Sequence, residues 1–125
     1  MNPFKLLKSL FATAPRRAVA DCAGRVRSGA AVLIDVREAG EWAGGVAEHA
    51  MLLPLTDLAG SRTRWTPFLA AHDGRELLLY CAVGGRSGIA ARILATEGHR
   101  AANAGALPDW KAAGWPIVRP PAGRA

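Results

Sequence analysis

The sequence predicts an α/β domain with a mainly parallel central sheet flanked by helices on both faces. Three observations carry that expectation. Short apolar runs at residues 31–36 and 77–80 alternate with longer stretches whose apolar residues recur at helical spacing. The first run, Ala31-Val32-Leu33-Ile34-Asp35-Val36, is apolar almost throughout, as a strand covered on both faces requires. Turn residues such as Asp73-Gly74 and Gly98 separate the runs from the periodic stretches.

Length and composition set the frame. With 125 residues, half of them apolar, the chain has material for one domain with its own core. No apolar run approaches the ~18 residues a membrane span needs. The net charge of +6 comes from scattered Lys and Arg with no basic run interleaved with aromatics, which argues against nucleic acid as a partner. Such a field draws small anions without specifying one. Cys22 and Cys81 form no CxxC pair, and His49, His72 and His99 stand apart, so neither a disulfide framework nor a metal site is expected.

Residues 1–14 place Phe4, Leu7 and Phe11 on one helical face with Lys5 and Lys8 off it, an N-terminal amphipathic segment. An export signal is the alternative, since Ala12-Thr13-Ala14 resembles a cleavage box, although Lys8 breaks the apolar stretch. A cytoplasmic location is expected, or a periplasmic one if residues 1–14 direct export. Residues 15–118 form the domain. Ala18, Val19, Cys22, Ala23 and Val26 mark an amphipathic helix entered through Pro15, with Cys22 as a small core residue.

The strand over 31–36 follows and delivers Asp35 and Arg37 to its carboxyl end. Arg37 and Glu41 are four apart at the start of a short helix, suited to an ion pair, and Asp35 is expected to border the ligand site. Residues 50–53 read as a short strand closed by Pro54, then 55–58 as a helical turn. Thr66 and Pro67 are expected to cap and open a helix running to His72. The strand over 77–81 comes next, then a helix from Arg86 with apolar positions Ile89, Ala90, Ile93 and Leu94, stopped at Gly98. Residues 100–104 read as a last short strand and 107–113 as a last helix, capped by Gly114, with Trp110 and Trp115 covering the core. Residues 119–125, rich in Pro and Gly, read as a frayed tail.

The stretch from Glu76 to Gly98 carries the chemistry. Its strand ends on Cys81, Gly84 and Gly85 allow a tight reversal that turns successive N–H groups inward, and a helix begins directly behind. A helix start and converging N–H groups stabilise an anion, so Cys81 is expected to be a thiolate with its pKa lowered below the ordinary thiol range. Arg86 adds a fixed charge and a planar fork suited to a sulfonate or phosphate. Amides of Ala82, Val83, Gly84, Gly85 and Ser87 are the candidate anion donors.

The string Tyr80-Cys81-Ala82-Val83-Gly84-Gly85-Arg86-Ser87-Gly88 resembles the active-site loop of the rhodanese family of sulfurtransferases. In that family a cysteine, four residues and an arginine cradle a persulfide; related phosphatases place five residues between the two. Residues 33–42, Leu-Ile-Asp-Val-Arg-Glu-Ala-Gly-Glu-Trp, and 110–117, Trp-Lys-Ala-Ala-Gly-Trp-Pro-Ile, are similar to two further family motifs. The match departs from the family at 45–50, where Gly-Val-Ala-Glu-His-Ala stands for the usual Gly-His-Ile-x-Gly-Ala. It departs again at 103–106, Asn-Ala-Gly-Ala, where paired glycines are common.

The resemblance implies a single rhodanese-like domain that moves a sulfane sulfur from thiosulfate or a related donor to cyanide or a thiol through a Cys81 persulfide. It implies Cys81 and Arg86 as the catalytic pair, and a mainly structural role for Asp35, Arg37 and Glu41. No metal or organic cofactor is required, because the protein's own sulfur is the carrier. A persulfide carrier or partner-binding module, with a protein as sulfur donor or acceptor, is the alternative. A phosphatase or arsenate reductase using the same cradle is a further one.

Overall fold

The computed structural model describes residues 14–120; the amphipathic helix expected before residue 14 and the tail beyond residue 120 lie outside them. Helix α1 (Val19–Ser28) leads to β1 (Ala31–Asp35), α2 (Ala39–Trp42), the short strands β2 (Val46–Ala47) and β3 (Met51–Leu52), then α3 (Leu55–Ala59) and α4 (Trp65–Ala71). There follow β4 (Glu76–Cys81), α5 (Gly85–Thr96), β5 (Ala101–Ala106), α6 (Leu107–Ala112) and β6 (Ile117–Val118).

The central sheet has the order β3-β1-β4-β5 and is parallel throughout, with Asp35 beside Tyr80 in register. Helices link the parallel strands and cover both faces. Alternate residues of each strand therefore enter different cores. Val32, Ile34, Leu77, Leu79 and Cys81 pack with Leu58, Trp65, Phe68, Ala91 and Leu94 from α3, α4 and α5. Ala31, Leu33, Leu78 and Tyr80 face the other way, against Val19, Cys22, Trp110 and Trp115. In a parallel sheet of this kind the carboxyl ends of the strands form the ligand-binding edge, and Asp35 and Cys81 both end their strands there.

Several boundaries differ from expectation for local physical reasons. Helix α1 starts at Val19, because the segment before it is drawn along β5: Asn103 N–H donates to Pro15 O (2.9 Å) and Arg17 N–H to Asn103 O (2.9 Å). Helix α4 opens at Trp65, one residue before Thr66, and the entry to it is held by Asp57, whose carboxylate accepts the N–H groups of Thr63, Arg64 and the first helical residue, Trp65, at 3.0–3.1 Å. A carboxylate from a neighbouring helix thus does the work assigned to Thr66. Strand β6 was not legible in sequence; it pairs antiparallel with β2, Val46 beside Val118 and Ala47 beside Ile117.

The departure from the family pattern at 45–50 leaves the turn intact. Gly45 has φ 123°, and His49, at the position of the second family glycine, adopts the same left-handed region with φ 73°. Glu48 fastens the turn, its N–H donating to Pro116 O and its carbonyl accepting the Trp115 indole N–H, both at 2.9 Å. Gly45 has no such latitude: a Cβ there would lie 2.8 Å from Ile117 Cγ2. Gly45→Ala combines that clash with an unfavourable φ and should lower stability by about 1–3 kcal/mol, measured as a drop in the urea midpoint. An unchanged midpoint would mean that the β2–β6 clasp gives way freely.

Candidate active site

Strand β4 delivers Cys81 to the sheet edge, and residues 82–84 turn the chain into α5. Gly84 makes the reversal with φ 94°, in the left-handed region that glycine occupies without penalty. The turn brings two amides onto the sulfur: Gly84 N–H lies 3.0 Å and Ser87 N–H 3.4 Å from Cys81 Sγ. The Ser87 hydroxyl is 3.3 Å from the same atom. Cys81 itself is fully buried, so the sulfur sits at the floor of the loop beneath residues 82–87. Val83 stands out of the loop, 83% exposed.

Burial pushes the Cys81 thiol up, but hydrogen bonds from the Ser87 hydroxyl and from the amides of Ser87, Val83 and Gly84 outweigh it and bring the pKa below its ordinary value. Cys22 is the reverse case. Burial first, then Glu76 and Asp21, push its thiol up to about 11, so it stays protonated and inert. It lies in the core on the opposite face of the sheet from Cys81, which removes it as a direct partner in sulfur relay.

Ser87→Ala deletes a hydrogen bond that favours the thiolate. The curve of Cys81 alkylation rate against pH should then move to higher pH, because a larger hydroxide concentration is needed to reach the same thiolate fraction. Iodoacetamide kinetics between pH 5 and 10 would read it. A curve that stays in place would show that the amides alone set the sulfur's acidity.

A residue that the sequence did not single out organises the loop. Asn103 on β5 is buried, and both the nitrogen and the oxygen of its side-chain amide are hydrogen-bonded. Nδ2 donates to Gly84 O (3.1 Å), while Oδ1 accepts Gly105 N–H (3.0 Å) and lies 2.7 Å from the Ser87 hydroxyl oxygen, whose single proton goes to Oδ1 or, when Cys81 is a thiolate, to the sulfur. It therefore fixes both residues that touch the sulfur. The available signal was a lone amide in the small apolar strand Ala-Ala-Asn-Ala-Gly-Ala, since a buried polar group must find partners.

The charged residues pair differently from expectation. Glu41 does not form the ion pair with Arg37; its carboxylate holds Arg86 bidentately, at 2.6 and 2.8 Å. Glu41 also accepts its own helix's Glu38 N–H (2.8 Å). The Arg86 hydrogen bond is the main reason its carboxyl falls to about 2. Arg86 is thus turned to Glu41, and its fork is occupied. Arg37 instead clasps Asp35, with Nε 3.1 Å from both carboxylate oxygens and Nη2 2.8 Å from Oδ2, and donates to Gly45 O (2.7 Å).

Asp35 does not border the loop. It is fully buried and also accepts the Tyr80 hydroxyl at 2.7 Å, while that oxygen accepts Ala47 N–H at 2.9 Å. Register explains this, since Asp35 lies beside Tyr80, whose side chain points to the opposite face from that of Cys81. Burial first, then Asp35, raise the pKa of the Tyr80 phenol, so it remains a donor.

A model of the Rhodanese-like domain family matches residues 18–113. Among solved structures, a rhodanese-related protein from Thermoplasma volcanium is similar at TM-score 0.69 and 25% identity, covering 85% of this chain and 99% of that one. A protein of unknown function from Rhodopseudomonas palustris, described as a possible tyrosine phosphatase, shares the fold at TM-score 0.69 and 24% identity, with 91% of each chain covered. A human single-domain sulfurtransferase is similar at TM-score 0.59 and 27% identity, covering 79% of this chain and 96% of that one. No curated protein matches. Among the described residues no helix is long and apolar enough to cross a membrane.

Proposed function

This chain belongs to the rhodanese-like domain family, and on that footing we propose that it moves a sulfane sulfur from thiosulfate or a related donor to cyanide or a thiol through a Cys81 persulfide. The family match and the likeness to a human single-domain sulfurtransferase support a sulfurtransferase-type role. The observation that carries the finer reading is the set of donors on Cys81 Sγ: Gly84 N–H, Ser87 N–H and the Ser87 hydroxyl within 3.0–3.4 Å. These hold a thiolate before reaction and a persulfide anion after it.

The chemistry is a two-step exchange. Cys81 thiolate attacks the outer sulfur of thiosulfate, a new S–S bond forms, the old one breaks, and sulfite leaves with its electron pair. An acceptor nucleophile then takes the outer sulfur and restores the thiolate. The loop amides of residues 82–87 stabilise the anion in both states, and Arg86, anchored by Glu41, stiffens the start of α5. Asp35 and Arg37 are proposed as scaffold, given their burial and mutual pairing.

Intact mass after incubation with thiosulfate tests the reading. A gain of one sulfur, about 32 Da, on Cys81 is expected. Hydrolysis of p-nitrophenyl phosphate with no mass gain would replace sulfur transfer by phosphatase chemistry. Loading from a protein persulfide alone would make the chain a carrier.

A further inference from the structure

We propose that Arg16, and not Arg86, binds the anionic end of the sulfur donor at the rim of the Cys81 loop; the inference rests on the sulfurtransferase reading for the donor's identity. A sulfonate held against this loop is best served by a cation whose charge is not already balanced. Arg86 is a poor candidate, because its guanidinium is paired bidentately with the Glu41 carboxylate at 2.6 and 2.8 Å.

Arg16 meets the requirement. Its guanidinium Nη2 lies 3.6 Å from the point where a Cβ on Gly84 would stand, and Gly84 is one of the residues whose N–H donates to Cys81 Sγ, at 3.0 Å. Arg16 is exposed. Among the described residues the arginine ion pairs fall on Arg25, Arg37, Arg62 and Arg86, so no carboxylate neutralises it.

The position of Arg16 is built rather than incidental. Its backbone forms a parallel bridge with Asn103, flanked by the Asn103 N–H to Pro15 O and Arg17 N–H to Asn103 O bonds, each 2.9 Å. The side chain of the same asparagine holds Gly84 O and the Ser87 hydroxyl. One residue therefore fixes the cation and the sulfur loop relative to each other. A cleft of about 470 Å³ lies alongside, lined by Arg16, Arg17, Val19, Gly105 and Asp109 among others. None of residues 81–87 lines this cleft; it adjoins the loop through Gly105, whose carbonyl oxygen is 3.3 Å from the Ser87 hydroxyl oxygen. Asp109 in that lining is engaged locally, its Oδ2 accepting Ala106 N–H at 3.0 Å. The ligand class is a compact oxyanion attached to sulfur, because a guanidinium fork can donate to two oxygens of a sulfonate at once.

The first experiment needs no turnover. Cys81 is alkylated in the full chain with iodoacetate, an anion, and with iodoacetamide, its neutral analogue. In wild type the ratio of the two rates should exceed that of Arg16→Gln severalfold. Arg16→Lys should restore part of the ratio, and Arg92→Gln, which removes an exposed charge elsewhere on α5, should leave it unchanged. An equal ratio in wild type and Arg16→Gln overturns the proposal, as does an equal fall in both rates, which would make Arg16 a structural support of the loop.

The second experiment measures thiosulfate loading. Arg16→Gln should raise KM about tenfold, the size expected for one charge-assisted contact, with kcat unmoved. A fall in kcat at constant KM overturns the assignment. A wild-type chain that takes no sulfur from thiosulfate sinks the sulfurtransferase reading alone, and the alkylation ratio then still decides the role of Arg16.

Discussion

Cys81→Ser, incubated with thiosulfate, keeps its original mass and transfers no sulfur to cyanide, while its circular dichroism and urea midpoint stay close to wild type. The serine hydroxyl is nearly isosteric with the thiol and can accept the Gly84 and Ser87 N–H groups that the sulfur accepts at 3.0 and 3.4 Å, so the loop has no reason to open. It is not ionised at neutral pH and forms no persulfide, so turnover should fall to background, a loss of several decades on the scale set by removing a covalent nucleophile. Cys81→Ala should lose transfer equally. Cys22→Ser is the counterpart: its thiol is buried and held protonated, so loading should be unaffected. A Cys81→Ser chain that still gains sulfur would move the nucleophile elsewhere.

Asp35→Ala is expected to have the largest effect on stability. The substitution strips Arg37 of its principal counter-charge while the guanidinium remains buried, and it leaves the Tyr80 hydroxyl without its acceptor. Breaking a buried pair by removing one partner destabilises by about 3–5 kcal/mol, because the surviving charge stays desolvated. The same network reaches β2 through Ala47 N–H on Tyr80 and Gly45 O on Arg37, so the β2–β6 clasp should loosen with it. Replacing both partners, Asp35→Leu with Arg37→Met, should recover part of the loss, since no charge is then stranded. Urea unfolding of the set would measure the cycle. If Asp35→Ala unfolds within about 1 kcal/mol of wild type, the network is not what holds the sheet edge together. If its stability is intact but its KM for thiosulfate rises, Asp35 touches the ligand after all.

The sequence was most informative where function depends on contiguous residues. The strand ending on Cys81, the glycine turn and the helix behind it occupy one stretch of chain, and local rules of periodicity and turn chemistry suffice to place them. Legibility fell where partners are far apart in sequence. Spacing favoured Arg37 with Glu41, four residues apart, yet Glu41 reaches Arg86 across 45 positions because α2 and the start of α5 meet at the sheet edge. Asn103 looked like the loss of a glycine; its use emerges only when β5 is laid beside β4. The cap on α4 shows the same limit, because Asp57 is supplied by another helix. Strand β6, two residues long, carries too little pattern to be seen before its partner is known.

The separation of Cys22 and Cys81 onto opposite faces of the central sheet bears on the lifetime of the proposed sulfur-loaded form. With β1, β4 and β5 standing between them as a wall, Cys22 can neither attack Cys81 Sγ to form a disulfide and release an outer sulfur as sulfide, nor attack that outer sulfur and take it over as its own persulfide. If Cys81 carries sulfur as proposed, the charged form would be a reservoir that empties only outward, at a rate governed by whichever nucleophile arrives from solution.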